Sequence, residues 1–252
     1  MQTQSFHFET LSPQLSVCVS PAHKFGTDAF LLSTFARVRR RETACDLGTG
    51  CGIVALLWYR QPDDGPRHSF CVDIQPLAIT QLNLTIQQHP FLQERITPVQ
   101  QDLKKLAKQI APHSIDVVTC NPPYKMHGHG ILSQTDSDQL ARHETACTLD
   151  DICASAARML KFGGRLCVCQ RPERIADVLQ CMRSNGIEPK RLRFVQQREH
   201  TAPWLLLCEG RKGGKPFLQV EAPLIIEGPG GFSREMLNIY QKTDNLPPKG
   251  EN

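Results

Sequence analysis

The sequence predicts an α/β fold: a doubly wound, mostly parallel sheet of seven strands with an antiparallel hairpin near its C-terminal end. Three observations carry this. Short apolar strand candidates alternate with helical segments from residue 44 onward, the order that builds parallel βαβ units. A glycine loop, Asp46-Leu47-Gly48-Thr49-Gly50-Cys51-Gly52, sits between the first strand and the first helix of that run. Two late strand candidates, Arg191–Gln196 and Trp204–Glu209, are separated only by Gln197–Pro203, which suits a longer hairpin.

The elements follow in order. Leu15, Val17 and Val19 alternate with Ser16, Cys18 and Ser20, which predicts a strand. Pro21 and Gly26 interrupt it, and Thr27 or Asp28 is placed to cap a helix through Ala29, Leu31, Leu32 and Phe35. Arg37, Arg39, Arg40 and Arg41 form a basic connector. Ala44–Leu47 is a strand, Ile53–Arg60 a helix, Pro62–Arg67 a turn, Ser69–Asp73 a strand and Pro76–Gln88 a helix. Ile96–Gln100 and Ser114–Cys120 are the next strands, the first ending near Asp102 and the second delivering Asn121. Residues 125–140, rich in Gly, His, Ser and Asp, read as a mobile loop. Thr148 caps a helix over Leu149–Leu160, Gly163-Gly164 closes it, and Arg165–Gln170 is a strand. A helix over Ile175–Asn185 ends at Gly186 and precedes the hairpin. Leu218–Val220 and Ser233–Tyr240 are a last strand and a last short helix. The expected organisation is one domain over residues 1–241, with residues 1–42 as a strand-and-helix extension and 242–252 as a flexible tail.

Composition narrows the class. Among 252 residues 40% are hydrophobic, enough to exclude a disordered chain, and the net charge of +4 favours an anionic partner only weakly. The 11 cysteines include no Cys-x-x-Cys pair and no histidines at zinc spacing, so free, mostly buried thiols in a reducing compartment are expected, and no metal. Met1-Gln2-Thr3-Gln4 opens no signal peptide, and apolar runs such as Ile53–Tyr59 are too short for a membrane span. The protein is expected to be cytoplasmic and monomeric.

The glycine loop follows a strand and precedes a helix, the context in which such loops bind ligands at the carboxyl edge of a sheet. Its Gly-x-Gly-x-Gly spacing differs from that of dinucleotide enzymes, and it opens with the acid Asp46. A carboxylate there repels a pyrophosphate but suits a cationic amino-acid moiety. S-adenosylmethionine carries both a sulfonium and an ammonium group. Asp73, at the end of the next strand, is placed to accept from ribose hydroxyls. Asp102, at the end of the third, is placed to accept from the adenine amino group. Three acids at the ends of three successive strands point to that cofactor.

The tetrapeptide Asn121-Pro122-Pro123-Tyr124 follows the fourth strand of the run. An amino group on an aromatic ring is a poor nucleophile, because its lone pair is delocalised into the ring. Two acceptors that hold both N–H hydrogens out of the line of attack make the nitrogen more tetrahedral. The Asn121 side-chain carbonyl and the Pro122 backbone carbonyl are those acceptors, the prolines stiffen the turn, and Tyr124 stacks on the planar group. A methyl transfer of this kind needs no metal and no strong base.

At these residues the chain resembles the amino-group class of Rossmann-type methyltransferases and, more closely, the bacterial tRNA(Val) adenine-N6-methyltransferase family. Lys24-Phe25-Gly26-Thr27-Asp28-Ala29-Phe30-Leu31-Leu32 is similar to that family's N-terminal motif, which contributes Lys24 and Thr27 to the cofactor pocket. Ala141-Arg142-His143-Glu144, Leu160-Lys161-Phe162-Gly163-Gly164-Arg165, Arg171-Pro172-Glu173-Arg174, Lys190-Arg191-Leu192-Arg193 and Arg211-Lys212-Gly213-Gly214-Lys215 are similar as well. The likeness implies a Rossmann-like sheet and methylation of N6 of an adenine in RNA, most simply tRNA. It also implies S-adenosyl-L-methionine bound by Lys24, Thr27, Asp46, Gly48, Gly50, Asp73, Asp102 and Asn121, and catalysis by Asn121, Pro122, Pro123 and Tyr124. Lys190, Arg191, Arg193, Arg211 and Lys212 are the candidate RNA-binding surface. His127 and His129 read as loop histidines without function, and Arg142, His143 and Glu144 as residues that order the loop over the site.

Rival readings differ in substrate. Glutamine-N5 methyltransferases of release factors share the tetrapeptide but normally carry a helical recognition domain ahead of the glycine loop. Here only residues 1–45 precede Asp46. DNA adenine methylation lacks a sizeable target-recognition domain. A non-catalytic RNA-binding module of the same fold conflicts with intact Asp46, Asp73 and Asn121.

Overall fold

The computed structural model describes residues 5–21, 24–61, 63–122 and 147–241. Its main sheet follows the predicted alternation. Strands β3 (Thr43–Leu47), β4 (His68–Asp73), β5 (Ile96–Gln100), β6 (Ile115–Cys120) and β7 (Leu160–Gln170) pair in parallel. Strands β8 (Ile187–Gln196) and β9 (Pro203–Lys212) form the antiparallel hairpin, and β9 docks antiparallel on β7. These seven strands lie in the order β8-β9-β7-β6-β3-β4-β5. Two two-residue strands, β10 (Gln219–Val220) and β11 (Leu224–Ile225), extend the β8 edge.

The chain winds outward from β3 in both directions, so the order reverses between β3 and β6. Their carboxyl ends are adjacent, with Leu47 paired to Cys120. Gly48 and Asn121 each lie one residue beyond that pair, at the crevice where open α/β sheets take ligands.

Apolar residues cover both faces of the sheet, as a doubly wound fold requires. Val117, Cys167 and Cys169 pack on one side with Leu31, Leu32, Leu56 and Tyr59. Val118, Leu166 and Val168 pack on the other with Ile152, Ala156 and Met159. The first side is covered by α1 (Thr27–Phe35) and α2 (Ile53–Leu56), which tightens into a 3-10 turn over Leu57–Tyr59. The second is covered by α4 (Leu149–Met159) and α5 (Ile175–Ser184), while α3 (Pro76–Gln88) follows β4. A last helix, α6 (Arg234–Tyr240), is capped by Ser233.

Four local expectations are corrected. Strand β1 (His7–Ser12) pairs with β2 (Leu15–Val19) in a separate hairpin. It escapes a hydrophobic pattern because most of it is exposed. Gly26, not Thr27 or Asp28, is the N-cap of α1, and Asp28 lies in its first turn. The helix over Ile53–Arg60 is only one α turn before it becomes 3-10. Gly163-Gly164 does not close α4. That helix ends at Met159, and Leu160 turns at once into β7, which runs through both glycines. The fully buried Leu160 side chain fixes this turn, and the Lys212 ammonium donates to the carbonyls of Ala157 and Leu160 at the helix end. By contrast Thr148 caps α4 as expected, in a reciprocal box with Asp151.

None of the eleven cysteines forms a disulfide among the described residues, and all but Cys147 and Cys181 are buried. No helix among the described residues is long and apolar enough to cross a membrane.

Candidate active site

Two adjoining cavities open at the carboxyl edge of β3, β4, β5 and β6. One, of about 410 Å³, is lined by Asp73, Ile74, Gln101, Asp102, Leu103 and Ile152 among others. The second, of about 230 Å³, lies under the start of α1 and includes Phe25, Gly26, Asp28 and Thr49. Lys24, Gly48, Gly50 and Asn121 line both. The bipartite shape matches a ligand with a flat half and a short polar half.

The loop between them is laced to β4. The Thr49 N–H donates to the Val72 carbonyl at 3.0 Å, and the Gly50 N–H to Asp73 Oδ2 at 2.9 Å. Gly48 and Gly50 hold φ of +67° and +56°, and an added Cβ at either meets no atom within 4 Å. Glycine is needed there for backbone conformation and to leave the cavity wall bare. Asp73 Oδ1 accepts from the Gln75 N–H at 2.9 Å, so backbone amides fix the whole carboxylate at the rim. Asp102 lies at the end of the β5 segment, where its Oδ1 accepts from the Lys104 N–H at 3.0 Å.

Asp46 stands behind the loop rather than in either cavity wall. It is 1% exposed and accepts from Thr119 Oγ1 at 2.6 Å and Thr49 Oγ1 at 2.7 Å. Burial raises its pKa to about 6 against the pull of the two hydroxyls, and the nearby Asp73 charge adds to the rise. Its visible work is to hold the loop to β6. Thr27 also misses the cavities. Its hydroxyl lies 2.8 Å from the Tyr240 hydroxyl. Lys24, Gly48, Gly50, Asp73, Asp102 and Asn121 are brought together as predicted, with Pro122 beside them. Pro123 and Tyr124 lie outside the described residues, as do His127, His129, Arg142, His143, Glu144 and the segment 125–140.

The sequence reading missed two partners of Asn121. Asn121 Nδ2 donates to Asp28 Oδ2 at 3.0 Å, and the Cys169 thiol donates to Asn121 Oδ1 at 3.0 Å. Both come from elements distant in sequence, so no local pattern signals them. Lys104, Lys105 and Lys108 were missed too; all three are exposed on the short 3-10 helix Leu103–Lys108 beside Asp102.

Of the five cations of the candidate RNA surface, four are engaged within the protein, two of them by carboxylates and two by carbonyls. Arg191 is buried, bonded to Glu209 at 2.8 Å and to the Phe35 carbonyl, with its guanidinium 3.9 Å above the Phe35 ring. Arg193 grips Glu235 through two bonds of 2.6 and 2.8 Å. Lys190 donates to the carbonyls of Lys215, Pro216 and Phe217, and Lys212 caps α4. Arg211 alone of the five is exposed without an ion pair among the described residues. Sequence counts cations, whereas the fold decides which of them face one another.

The residues present fit S-adenosylmethionine. Rim acids Asp73 and Asp102 flank an apolar slot of Val72, Ile74, Leu103 and Ile152 in the larger cavity, suited to an adenosine. The bare glycine wall and Lys24 lead from it into the smaller, polar cavity.

The model of the methyltransferase small domain matches residues 23–185. The chain belongs to the methyltransferase small domain family. This methyltransferase is 34% identical over 164 residues to a tRNA1(Val) (adenine(37)-N6)-methyltransferase of Histophilus somni, an alignment covering 65% of the chain and 66% of the relative. It is 25% identical over 237 residues to the protein of the same name from Aliivibrio fischeri, covering 94% and 96%. The fold is similar to that of a predicted O-methyltransferase from Agrobacterium tumefaciens, with a TM-score of 0.69 at 18% identity over 85% of this chain and 96% of that one. The methyl donor of this methyltransferase is S-adenosylmethionine.

Proposed function

We propose that this methyltransferase transfers a methyl group to N6 of an adenine in tRNA, the adenine at position 37 being the target named for its relatives. The observation that carries the reading is the place of Asn121: it directly follows β6 and lines both cavities, so an acceptor nitrogen held there faces the junction between the two halves of the cofactor site. S-adenosylmethionine supplies, when bound, a methyl group made electrophilic by its sulfonium. Asp73 accepts from ribose hydroxyls, Asp102 from the adenine amino group, and Lys24 meets the carboxylate of the amino-acid part. Asn121 Oδ1 and the Pro122 carbonyl accept the two N–H hydrogens of the target amine and direct its lone pair at the methyl. Tyr124 stacks on the unstacked base. The methylated ammonium loses its proton to solvent, so no buried base is required.

Lys105, Lys108 and Arg211 are the side chains best placed for phosphates, the two lysines following Asp102 and Leu103 of the larger cavity. The test is direct. Incubate the protein with labelled S-adenosylmethionine and, in separate arms, unmodified tRNA, ribosomal RNA, duplex DNA and release factor. Label in tRNA that digests to N6-methyladenosine supports the reading. Label in release factor, released as N5-methylglutamine, overturns it, as does label confined to DNA or ribosomal RNA.

A further inference from the structure

Asn121 is useful for catalysis only in one of its two orientations. With Oδ1 toward the acceptor amine it accepts an N–H; rotated by half a turn it presents Nδ2, a donor, and opposes the amine. We propose that Asp28 is the positioning residue that sets this orientation. The inference deepens the proposed function and rests on its reading of Asn121.

The geometry is specific. Asp28 Oδ2 accepts from Asn121 Nδ2 at 3.0 Å. A carboxylate only accepts, so the reversed amide would bring two oxygens to that distance and lose a charge-assisted bond. On the other side the Cys169 thiol donates to Oδ1 at 3.0 Å, which agrees with the same orientation. A thiol is a weak donor, so this contact restrains Oδ1 less firmly than Asp28 restrains Nδ2. Asp28 is itself held. Its Oδ1 accepts from the Ala29 N–H at 3.0 Å in the first turn of α1, where the helix end favours a negative charge.

Gly26 makes room for this carboxylate. Its φ of −117° and ψ of −178° suit any residue. An added Cβ would nevertheless stand 2.8 Å from Asp28 Oδ1. Steric space, not backbone freedom, is therefore what glycine provides here. An alanine at 26 would push the carboxylate aside while leaving its charge in the protein.

The experiment uses the full-length protein, S-adenosylmethionine and the acceptor identified by the labelling screen. Single-turnover methylation rates and cofactor affinity are measured for wild type, Asp28→Ala, Asp28→Asn, Gly26→Ala, Asn121→Ala and the Asp28→Ala/Asn121→Ala pair. At saturating cofactor Asp28→Ala should still lower the single-turnover rate roughly tenfold or more. Asp28→Asn and Gly26→Ala should lower it less, in the same direction. In the Asn121→Ala background, Asp28→Ala should change the rate less than about twofold, because the residue it acts through is gone. A readout free of any acceptor is the Asn121 side-chain amide pair, identified in a ¹H–¹⁵N spectrum as the signals missing from Asn121→Ala. They should move from their hydrogen-bonded position in Asp28→Ala.

Three results overturn the proposal: a rate loss as large with Asn121 absent as present, a loss carried entirely by weaker cofactor binding, or amide signals that stay in place. The two levels fail separately. Wild-type rates in Asn121→Ala remove the role of Asn121 and with it that of Asp28. Wild-type rates in the Asp28 and Gly26 variants, with Asn121→Ala inactive, remove Asp28 alone.

Discussion

Two regions of this molecule are dense in charge, and they use it in opposite ways. At the carboxyl edge of the parallel strands, Asp46 and Asp73 are held by hydroxyls and backbone N–H groups rather than by cations. Asp46 lies behind the loop, and the charge of Asp73, in the cavity wall, is left for whatever enters beside it. In the C-terminal hairpin, Arg191 and Arg193 are paired with Glu209 and Glu235, while the Lys190 and Lys212 ammoniums donate to carbonyls and keep their charge. There the two arginine charges are consumed in tying the hairpin together and to α1 and α6. A charge satisfied by neutral dipoles remains able to attract a ligand; a charge satisfied by its opposite does not.

Substitutions in the two regions should therefore separate stability from chemistry. The largest effect is expected at Arg191. Arg191→Ala leaves Glu209 buried without its partner and should cost about 3–5 kcal/mol of folding stability, read by urea unfolding, with cofactor affinity in the surviving folded protein unchanged. Impaired cofactor binding without loss of stability would erase the contrast.

Asn121→Ala should do the converse. Loss of one preorganised polar contact at the reacting centre lowers turnover by roughly 10²–10³-fold, while calorimetry still finds cofactor binding and thermal unfolding barely moves.

Asp46 tests the edge region by pH. Its carboxyl titrates near 6 in the folded protein against a usual 3.8, so the folded state binds the proton more tightly than the unfolded one. Stability from this group is thus fully present below about pH 4 and is lost as pH rises through 6, a swing of about 2–3 kcal/mol. Asp46→Asn should remove that part of the pH dependence. Denaturant midpoints of both proteins between pH 4 and 7 check it, and parallel curves would show the group is not buried as described.

The smallest effects concern RNA. Arg193→Ala removes an already paired charge and should change tRNA affinity less than about twofold. Lys105→Ala and Lys108→Ala should each weaken binding and flatten its salt dependence by about one unit of slope. Filter binding across a salt series distinguishes the two, and the reverse ranking would return the RNA surface to the hairpin.

Much of this was legible in the chain. Pro76–Gln88 and Ile96–Gln100 begin and end where their patterns predict. Leu149 onward is helical behind its Thr148 cap. The glycine loop and Asn121 are readable because each occupies a fixed place relative to a strand end, and strand ends can be found from hydrophobic runs. The Gly163-Gly164 pair misleads for a complementary reason. A glycine pair signals a stop only where nothing else decides, and here the burial of Leu160 and the reach of Lys212 from β9 decide first.

The sequence by itself determined the order of strands and helices, the acids at the strand ends and the place of Asn121-Pro122 just after a strand, because all of these depend on neighbours along the chain. Only the tertiary structure decided that Asp46 lies behind the loop and Thr27 beside Tyr240, that Asp28 and Cys169 grip Asn121, and that the hairpin arginines face carboxylates. Each of those facts is a contact between segments far apart in sequence. Such contacts are set by how layers pack across the sheet, which no local pattern encodes.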